Sequence, residues 1–328
     1  MLKYNVVEKV VNAVQTITLG PNGPQVPALG IGTWAWGDTL FWNYGKEYGA
    51  EQVREAFFAA LDAGVNFFDT AEIYGLGESE RLIGQFMQEA DRPVQIATKY
   101  FPLPWRFNAQ AVVDTLTASL KRLQVDHVTL YQVHWPFDFL MSQQTLINAL
   151  ADEVEKGRIG AIGVSNYSAD KMRQAHKFLA DRGIPLAVNQ MNYSLLTRQI
   201  ETNGVLDTAR ELGITILAYS PLAQGLLTGK YTPDSSPSLT GARKLDPRFS
   251  QKGLEKISPL IKALQQIGDA HQRTPAQVAL NWLIAQGGVI PIPGAKNANQ
   301  AQQNAGALGW SLSPDEVAQL DEISRACR

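Results

Sequence analysis

The chain has 328 residues, 45% of them hydrophobic and 18% charged, with a formal net charge of −2. That balance fits a soluble globular protein, either one large α/β barrel or two ordinary domains, with no basic excess to hold nucleic acid or anionic lipid. The single cysteine, Cys327, excludes an intrachain disulfide and a cysteine-based zinc site.

Residues 1–14, MLKYNVVEKVVNAV, are apolar in places, but Glu8 and Lys9 break what would have to be a secretory core. They are expected to form a short N-terminal extension of a cytoplasmic protein. No stretch of roughly 18 uncharged apolar residues offers a membrane span. Residues 15–28, QTITLGPNGPQVPA, place two short runs around Pro-Asn-Gly, the signature of a β-hairpin. Eight apolar runs follow, at 28–34, 65–71, 93–100, 127–135, 159–166, 186–194, 214–221 and 288–295. Continuous apolar runs, rather than strict alternation, belong to strands covered on both faces.

Helical patterns fill the intervals, at 50–63, 79–90, 108–124, 142–156, 168–181, 203–212, 274–286 and 297–306. Asn108, Ser142 and the pair Thr274-Pro275 stand where N-caps belong, and Gly157 and Gly213 punctuate helix ends. Eight strand–helix units of this size predict one closed (β/α)8 TIM barrel, a single domain over 1–328. Residues 222–253 form a long Gly/Pro/Ser-rich loop after the seventh strand, expected to close over the ligand.

In such a barrel the C-terminal strand ends share one face, where chemistry collects. Asp69 and Tyr74 follow the second strand, Lys99 ends the third and His134 the fourth; Ser165 and Asn166 follow the fifth, Gln190 lies on the sixth and Tyr219 closes the seventh. A carboxylate ending a buried strand needs a partner, and Lys99 on the neighbouring strand supplies it. Taken singly, Asp69 is an ordinary cap or ion pair, Tyr74 packing, Lys99 structural and His134 a satisfied core histidine. On three successive strands together they are hard to explain as packing. A free tyrosine titrates near roughly 10, and an adjacent ammonium is expected to draw that value toward neutrality. With His134 orienting a carbonyl, the set suits protonation of an oxygen that receives hydride.

The segments FFDTAEIYG, ATKY, YQVHWP, GVSNYS, VNQMNYS, AYSPLAQGLLTGK and PIPGAKNANQAQQNAGAL, in that order over residues 16 to 325, resemble the aldo-keto reductase superfamily. The resemblance implies a catalytic tetrad of Asp69, Tyr74, Lys99 and His134, with Tyr74 as general acid, and a nicotinamide dinucleotide held without a Rossmann fold. It implies that Ser165, Asn166 and Gln190 hydrogen-bond the carboxamide while Tyr219 stacks on the nicotinamide. Ser220, Leu222, Gln224 and Gly225 match the pyrophosphate loop, with Lys230 and Arg243 over the phosphates. Lys296, Gln300, Gln303 and Asn304 match the adenosine end. Gly32, Thr33, Trp34, Pro221, Leu227, Ile292 and Gly294 complete the expected cofactor contacts. The run GIGTWA satisfies G-x-G-x-x-A, but no helix opens from the loop-like, aromatic WAWGDTLFWNYG, so it is not a Rossmann fingerprint.

NADP(H) is the expected cofactor, because Arg243 and Lys296 can meet a 2′-phosphate. Family members that prefer NADP often carry GTKR and an acid before the asparagine; this chain has GAKN and Gln303. The expected substrate is a small carbonyl compound against an aromatic wall that includes Trp34, Trp36, Phe41, Trp42, Trp105 and Trp135. The stretch GTWAWGDTLFWNYG is similar to plant-type pyridoxal reductases within the superfamily, which adds pyridoxal to the broad class of small aldehydes. The tetrad also fits a different role, since potassium-channel β subunits of the same superfamily bind the cofactor as regulatory partners with weak turnover. A barrel hydrolase finds no support: no metal-ligand cluster or nucleophile elbow is visible. The residues are silent on oligomeric state, and a monomer is compatible with them.

Overall fold

The computed structural model describes residues 15–138, 141–234, 239, 243–244 and 246–327. The extension 1–14 and part of the loop expected to close over the ligand lie outside the described residues. A hairpin of β1 (Thr16–Thr18) and β2 (Gln25–Pro27) comes first, as expected, with Thr16 opposite Pro27. Eight parallel strands follow in sequence order. They are β3 (Ile31–Gly32), β4 (Phe67–Asp69), β5 (Gln95–Tyr100), β6 (Leu130–Val133), β7 (Ile162–Ser165), β8 (Leu186–Asn192), β9 (Thr215–Tyr219) and β10 (Val289–Pro291). The last strand meets the first: Gly30 N donates to Pro291 O and Gly32 N to Pro293 O, both at 3.0 Å. A side chain at Gly32 would meet Ile292 O at 2.8 Å, so this seam needs glycine.

The helices cover the outside. They are α1 (Ala50–Asp62), α2 (Glu78–Glu89), α3 (Ala109–Leu123), α4 (Gln143–Glu155), α5 (Ala169–Ala180), α6 (Val205–Leu212), α7 (Gln251–His271), α8 (Pro275–Ala285), α9 (Ala298–Ala305) and α10 (Pro314–Ala326). The caps read from sequence act as caps: Asn108 Oδ1 accepts from Ala111 N and Ser142 Oγ from Thr145 N, both at 3.1 Å. Thr274 and Gln277 form a reciprocal capping box with Pro275 in the first turn. No helix opens from GIGTWA, because α1 begins only at Ala50. Helices α7 and α10 lie outside the eight expected from sequence. Among the described residues no helix is long and apolar enough to cross a membrane.

Strand side chains alternate between two cores. Phe67, Ala97, Leu130, Val188 and Leu217 fill the barrel interior, joined at its lower end by Leu19 and Val26 of the hairpin. Phe68, Tyr131, Val133 and Ile216 face the helices. Two residues beyond the interior set on four of these strands stand Asp69, Lys99, Gln132 and Gln190. Parity of 2 therefore turns the upper end of the barrel polar.

Candidate active site

Asp69 and Lys99 are both buried, and Lys99 Nζ donates to Asp69 Oδ1 at 2.5 Å. The same ammonium donates to Thr70 O at 2.7 Å and reaches Tyr74 Oη at 3.4 Å. Asp69 Oδ2 accepts from Gln132 Nε2 at 3.0 Å and from Gln190 Nε2 at 2.8 Å. A buried charge pair is tolerable only when its remaining hydrogen-bonding capacity is met, and here it is. Tyr74 arrives from a tight turn after β4, in which Gly75 and Leu76 hold φ near 56° and 55°. Non-glycine residues seldom adopt such angles, and they cluster at functional sites.

Burial is the largest influence on the Tyr74 hydroxyl and raises its pKa; Lys99 pulls it down, Asp69 pushes it up, and the net is above the ordinary value. The expectation that Lys99 draws the phenol toward neutrality is thus corrected: desolvation outweighs the ammonium. Burial also works against the Lys99 charge, yet Asp69 and Tyr74 together hold its pKa above the ordinary value. His134 packs edge-on to Tyr74, with ring centres 5.8 Å apart, and to Phe101 at 5.4 Å. Burial, and secondarily the Lys99 charge, lower its pKa from 6.5 to about 3, so the imidazole is neutral. Its Nδ1 is buried without a hydrogen-bond partner among the described residues.

The aromatic wall divides. Trp34 lies 6.4 Å from the Tyr74 ring and is partly exposed. Trp135 stacks on Phe137 at 6.0 Å, and Trp105, 67% exposed, stands farther out on the rim. Trp36 does not belong to the pocket. It is fully buried against Phe68 and Phe86, with its indole Nε1 donating to Ala295 O at 2.7 Å. The backbone leaves the strand before this point, so Trp34 and Trp36 do not share a face: Trp34 faces the mouth, and the turn that follows β3 drives Trp36 under α2.

Ser165, Asn166, Gln190 and Tyr219 converge beside His134. Tyr219 Oη donates to Asn166 Oδ1 at 3.0 Å, Asn166 Nδ2 donates to Ser165 Oγ at 3.1 Å, and Ser165 Oγ donates to Gln190 O at 3.1 Å. Gln190 is committed to Asp69 through its amide nitrogen, which ties this group to the ion pair. Thr33 is buried, and its hydroxyl donates to Asp69 O at 3.0 Å, so that side chain is already used in holding β3 to β4.

A second cluster lies after β9. Ser220, Ala223 and Gln224 carry positive φ, and Gly225 reaches 100°. Pro221, Leu227 and Ile292 are buried and Leu222 packs against the core, so their side chains support this loop from beneath. Arg243 Nε donates to Gln224 O at 3.1 Å, while Lys230 lies over Gly225, where an added side chain would meet its Cε at 3.5 Å. Lys296, from the other side, has its pKa lowered to about 8 by burial, then by Arg243 and, more weakly, Lys230, against an opposing influence of Glu47. Among the described residues none of Lys230, Arg243 and Lys296 forms an ion pair. Gathered unpaired cations fit a polyanion such as the phosphates of a dinucleotide. Gln300 Oε1 accepts from Lys296 N at 2.9 Å, Asn304 Nδ2 donates to Gly294 O at 3.1 Å, and Gln303 O accepts from Gln277 Nε2 at 3.0 Å. Asn304 is buried and shapes the turn before α9, whereas Gln300 and Gln303 are exposed.

Two residues outside the sequence expectations belong here, and a third takes a different place from the one expected. Gln132 shares Asp69; the signal was a lone amide inside the apolar run LYQV, two residues before His134. Glu72 binds Arg106 through both oxygens and accepts from Phe101 N at 2.7 Å, joining the Tyr74 turn to the segment that carries Trp105. Trp42, expected in the substrate wall, instead contacts Arg243 and Lys296. Among the described residues no group of His, Cys, Asp or Glu could hold a metal.

Residues 28–325 match the Aldo/keto reductase family. The chain is 40% identical over 326 residues to the chloroplastic pyridoxal reductase of Arabidopsis thaliana, covering 95% of this chain and 86% of that protein. It is 34% identical over 317 residues to the aldo-keto reductase yakc (NADP(+)) of Schizosaccharomyces pombe, covering 92% and 88%. Among solved structures, the glycerol dehydrogenase of Gluconobacter oxydans superposes with a TM-score of 0.82 at 28% identity over 95% of each chain. A Klebsiella pneumoniae aldo-keto reductase in complex with NADPH gives a TM-score of 0.73 at 31% identity, again over 95% of each chain.

Proposed function

The chain belongs to the aldo/keto reductase family, and from that premise we propose that it reduces aldehydes or ketones to alcohols with NADPH, Tyr74 giving up the proton. The observation that carries this reading is the Lys99 ammonium, held between the Asp69 carboxylate and the Tyr74 hydroxyl at a barrel rim. NADPH, when bound, supplies the hydride. Tyr74 is a neutral phenol at working pH and so carries the proton to be given, although burial, which raises its pKa, opposes the transfer. Lys99 then favours the charge that develops on Tyr74 as the proton leaves, and Asp69 fixes the ammonium at the right place. His134, neutral throughout, orients the carbonyl oxygen by hydrogen bonding and does not compete for the proton.

The remaining residues take roles on the same reading. Ser165, Asn166 and Gln190 hold the carboxamide, Tyr219 stacks on the nicotinamide, and Lys230, Arg243 and Lys296 meet the phosphates. Preference for NADPH over NADH is supported by the unpaired Arg243 and Lys296 and by the NADPH and NADP complexes of the Klebsiella proteins. Trp34 and Trp135 give the mouth an apolar, flat wall, which suits aromatic and small apolar aldehydes. Pyridoxal is the named candidate because of the Arabidopsis relative. The test is loss of reduced-cofactor absorbance with a panel of aldehydes that includes pyridoxal. Steady consumption with at least one aldehyde is expected. Cofactor that copurifies and is never consumed would instead support the regulatory role seen in channel β subunits.

A further inference from the structure

Trp42 is built into the cation cluster rather than into the substrate wall. Its ring contacts both the Arg243 guanidinium, 5.3 Å from the ring centre, and the Lys296 ammonium, 4.9 Å from it. Lys296 Nζ also donates to Trp42 O at 3.4 Å and lies 4.4 Å over the Tyr48 ring. Among the described residues the buried indole Nε1 has no hydrogen-bond partner and Arg243 and Lys296 form no ion pair, which leaves a donor open beside two cations. An unsatisfied buried donor is costly, and an anion oxygen is the group that would satisfy it while neutralising its neighbours.

The segment that carries Trp42 is fixed for the purpose. Asp38, itself buried, accepts from Leu40 N at 2.9 Å and Phe41 N at 2.7 Å through Oδ1, and its carbonyl accepts from Tyr44 N at 3.0 Å. That turn sets Trp42 opposite Arg243. The indole also meets Trp34 edge-on at 5.4 Å, and Trp34 in turn faces Tyr74.

We infer that Trp42 is a phosphate-binding residue of the dinucleotide site: its ring contacts both Arg243 and Lys296 and steadies them, and its indole N–H donates to a phosphate oxygen. This rests on the dinucleotide reading proposed above. It adds a residue of the β3–α1 segment to the phosphate grip formed by Lys230, Arg243 and Lys296.

The test is calorimetric binding of NADPH, NADH and 2′,5′-ADP to the full chain without substrate. Trp42→Phe keeps a ring for the cations and removes the N–H; Trp42→Leu removes both. NADPH affinity is expected to fall about tenfold for Trp42→Leu and by a smaller factor for Trp42→Phe, as loss of two cation–π contacts and one charge-assisted donor implies. A larger loss for NADPH and 2′,5′-ADP than for NADH locates the contact at the 2′-phosphate, and equal losses for NADPH and NADH locate it at the pyrophosphate. Unchanged affinity in both variants overturns the inference while leaving the reductase reading intact. Failure of the wild-type chain to bind any of the three ligands overturns both.

Discussion

The two charged regions of this molecule are built on opposite plans. At the upper end of the barrel, one ammonium and one carboxylate are buried together, and all three ammonium protons and both carboxylate oxygens find partners, among them Thr70 O, Tyr74, Gln132 and Gln190. Around the loops after β9 and β10, cations from three separate segments are brought near one another with no ion pair among the described residues, Glu47 acting on Lys296 only from a distance. The first arrangement is closed before any ligand arrives, so its geometry belongs to the protein. The second is open, so its electrostatic stabilisation is deferred until an anion binds. Preorganisation serves the chemistry, and deferred pairing serves affinity.

Opening the closed region should produce the largest effect. Asp69→Leu leaves Lys99 buried without its partner, and breaking such a pair costs about 3–5 kcal/mol. Urea unfolding of the variant should show a loss of that size; a loss below about 1 kcal/mol would mean the ion pair is solvated and the comparison is wrong. His134 sharpens the same point from its edge. Its folded-state pKa of about 3 lies below the ordinary 6.5. As pH falls, the unfolded chain therefore takes up this proton first. The stability that comes from keeping the imidazole neutral is full above pH 6.5 and is lost progressively toward pH 3. Between those values the wild-type chain should lose about 1.4 kcal/mol per pH unit more than His134→Leu. Parallel acid profiles would show an exposed, freely titrating ring.

The open region should respond in ligand affinity rather than in stability. Lys296→Met is expected to weaken NADPH binding by about tenfold and NADH binding by less, since one charge-assisted contact to a phosphate is removed. Its melting temperature should change little, because relief of the repulsion by Arg243 and Lys230 is set against the lost contacts with Trp42 and Tyr48. Equal wild-type affinity for NADPH and NADH would remove the 2′-phosphate from the account.

Much of this was legible in the residues, for physical reasons. The inward-facing parity of β4 to β9 places Asp69, Lys99, Gln132 and Gln190 in one layer, and apolar runs ending in a charge expose that parity. The hairpin and the caps at Asn108, Ser142 and Thr274 follow from local hydrogen bonding alone, so short windows suffice. Helix α7 was hidden because Gly253, Pro259 and Gly268 interrupt its 21 residues and it sits outside the strand–helix alternation. Helix α10 carried a readable Ser313–Glu316 capping box but follows the last repeat. The burial of Trp36 and the cation contacts of Trp42 depend on how one turn folds, and no spacing rule separates those two rings. The sign of the Tyr74 shift likewise needed depth of burial, which the residues beside it do not report.

The most direct measurement compares turnover and NADPH affinity in Tyr74→Phe. Loss of the phenolic proton should lower turnover by roughly two to four orders of magnitude, the usual contribution of a general acid, while the dissociation constant for NADPH stays within about twofold of wild type. Turnover retained at the wild-type level would contradict the account, because the proton would then be coming from another group.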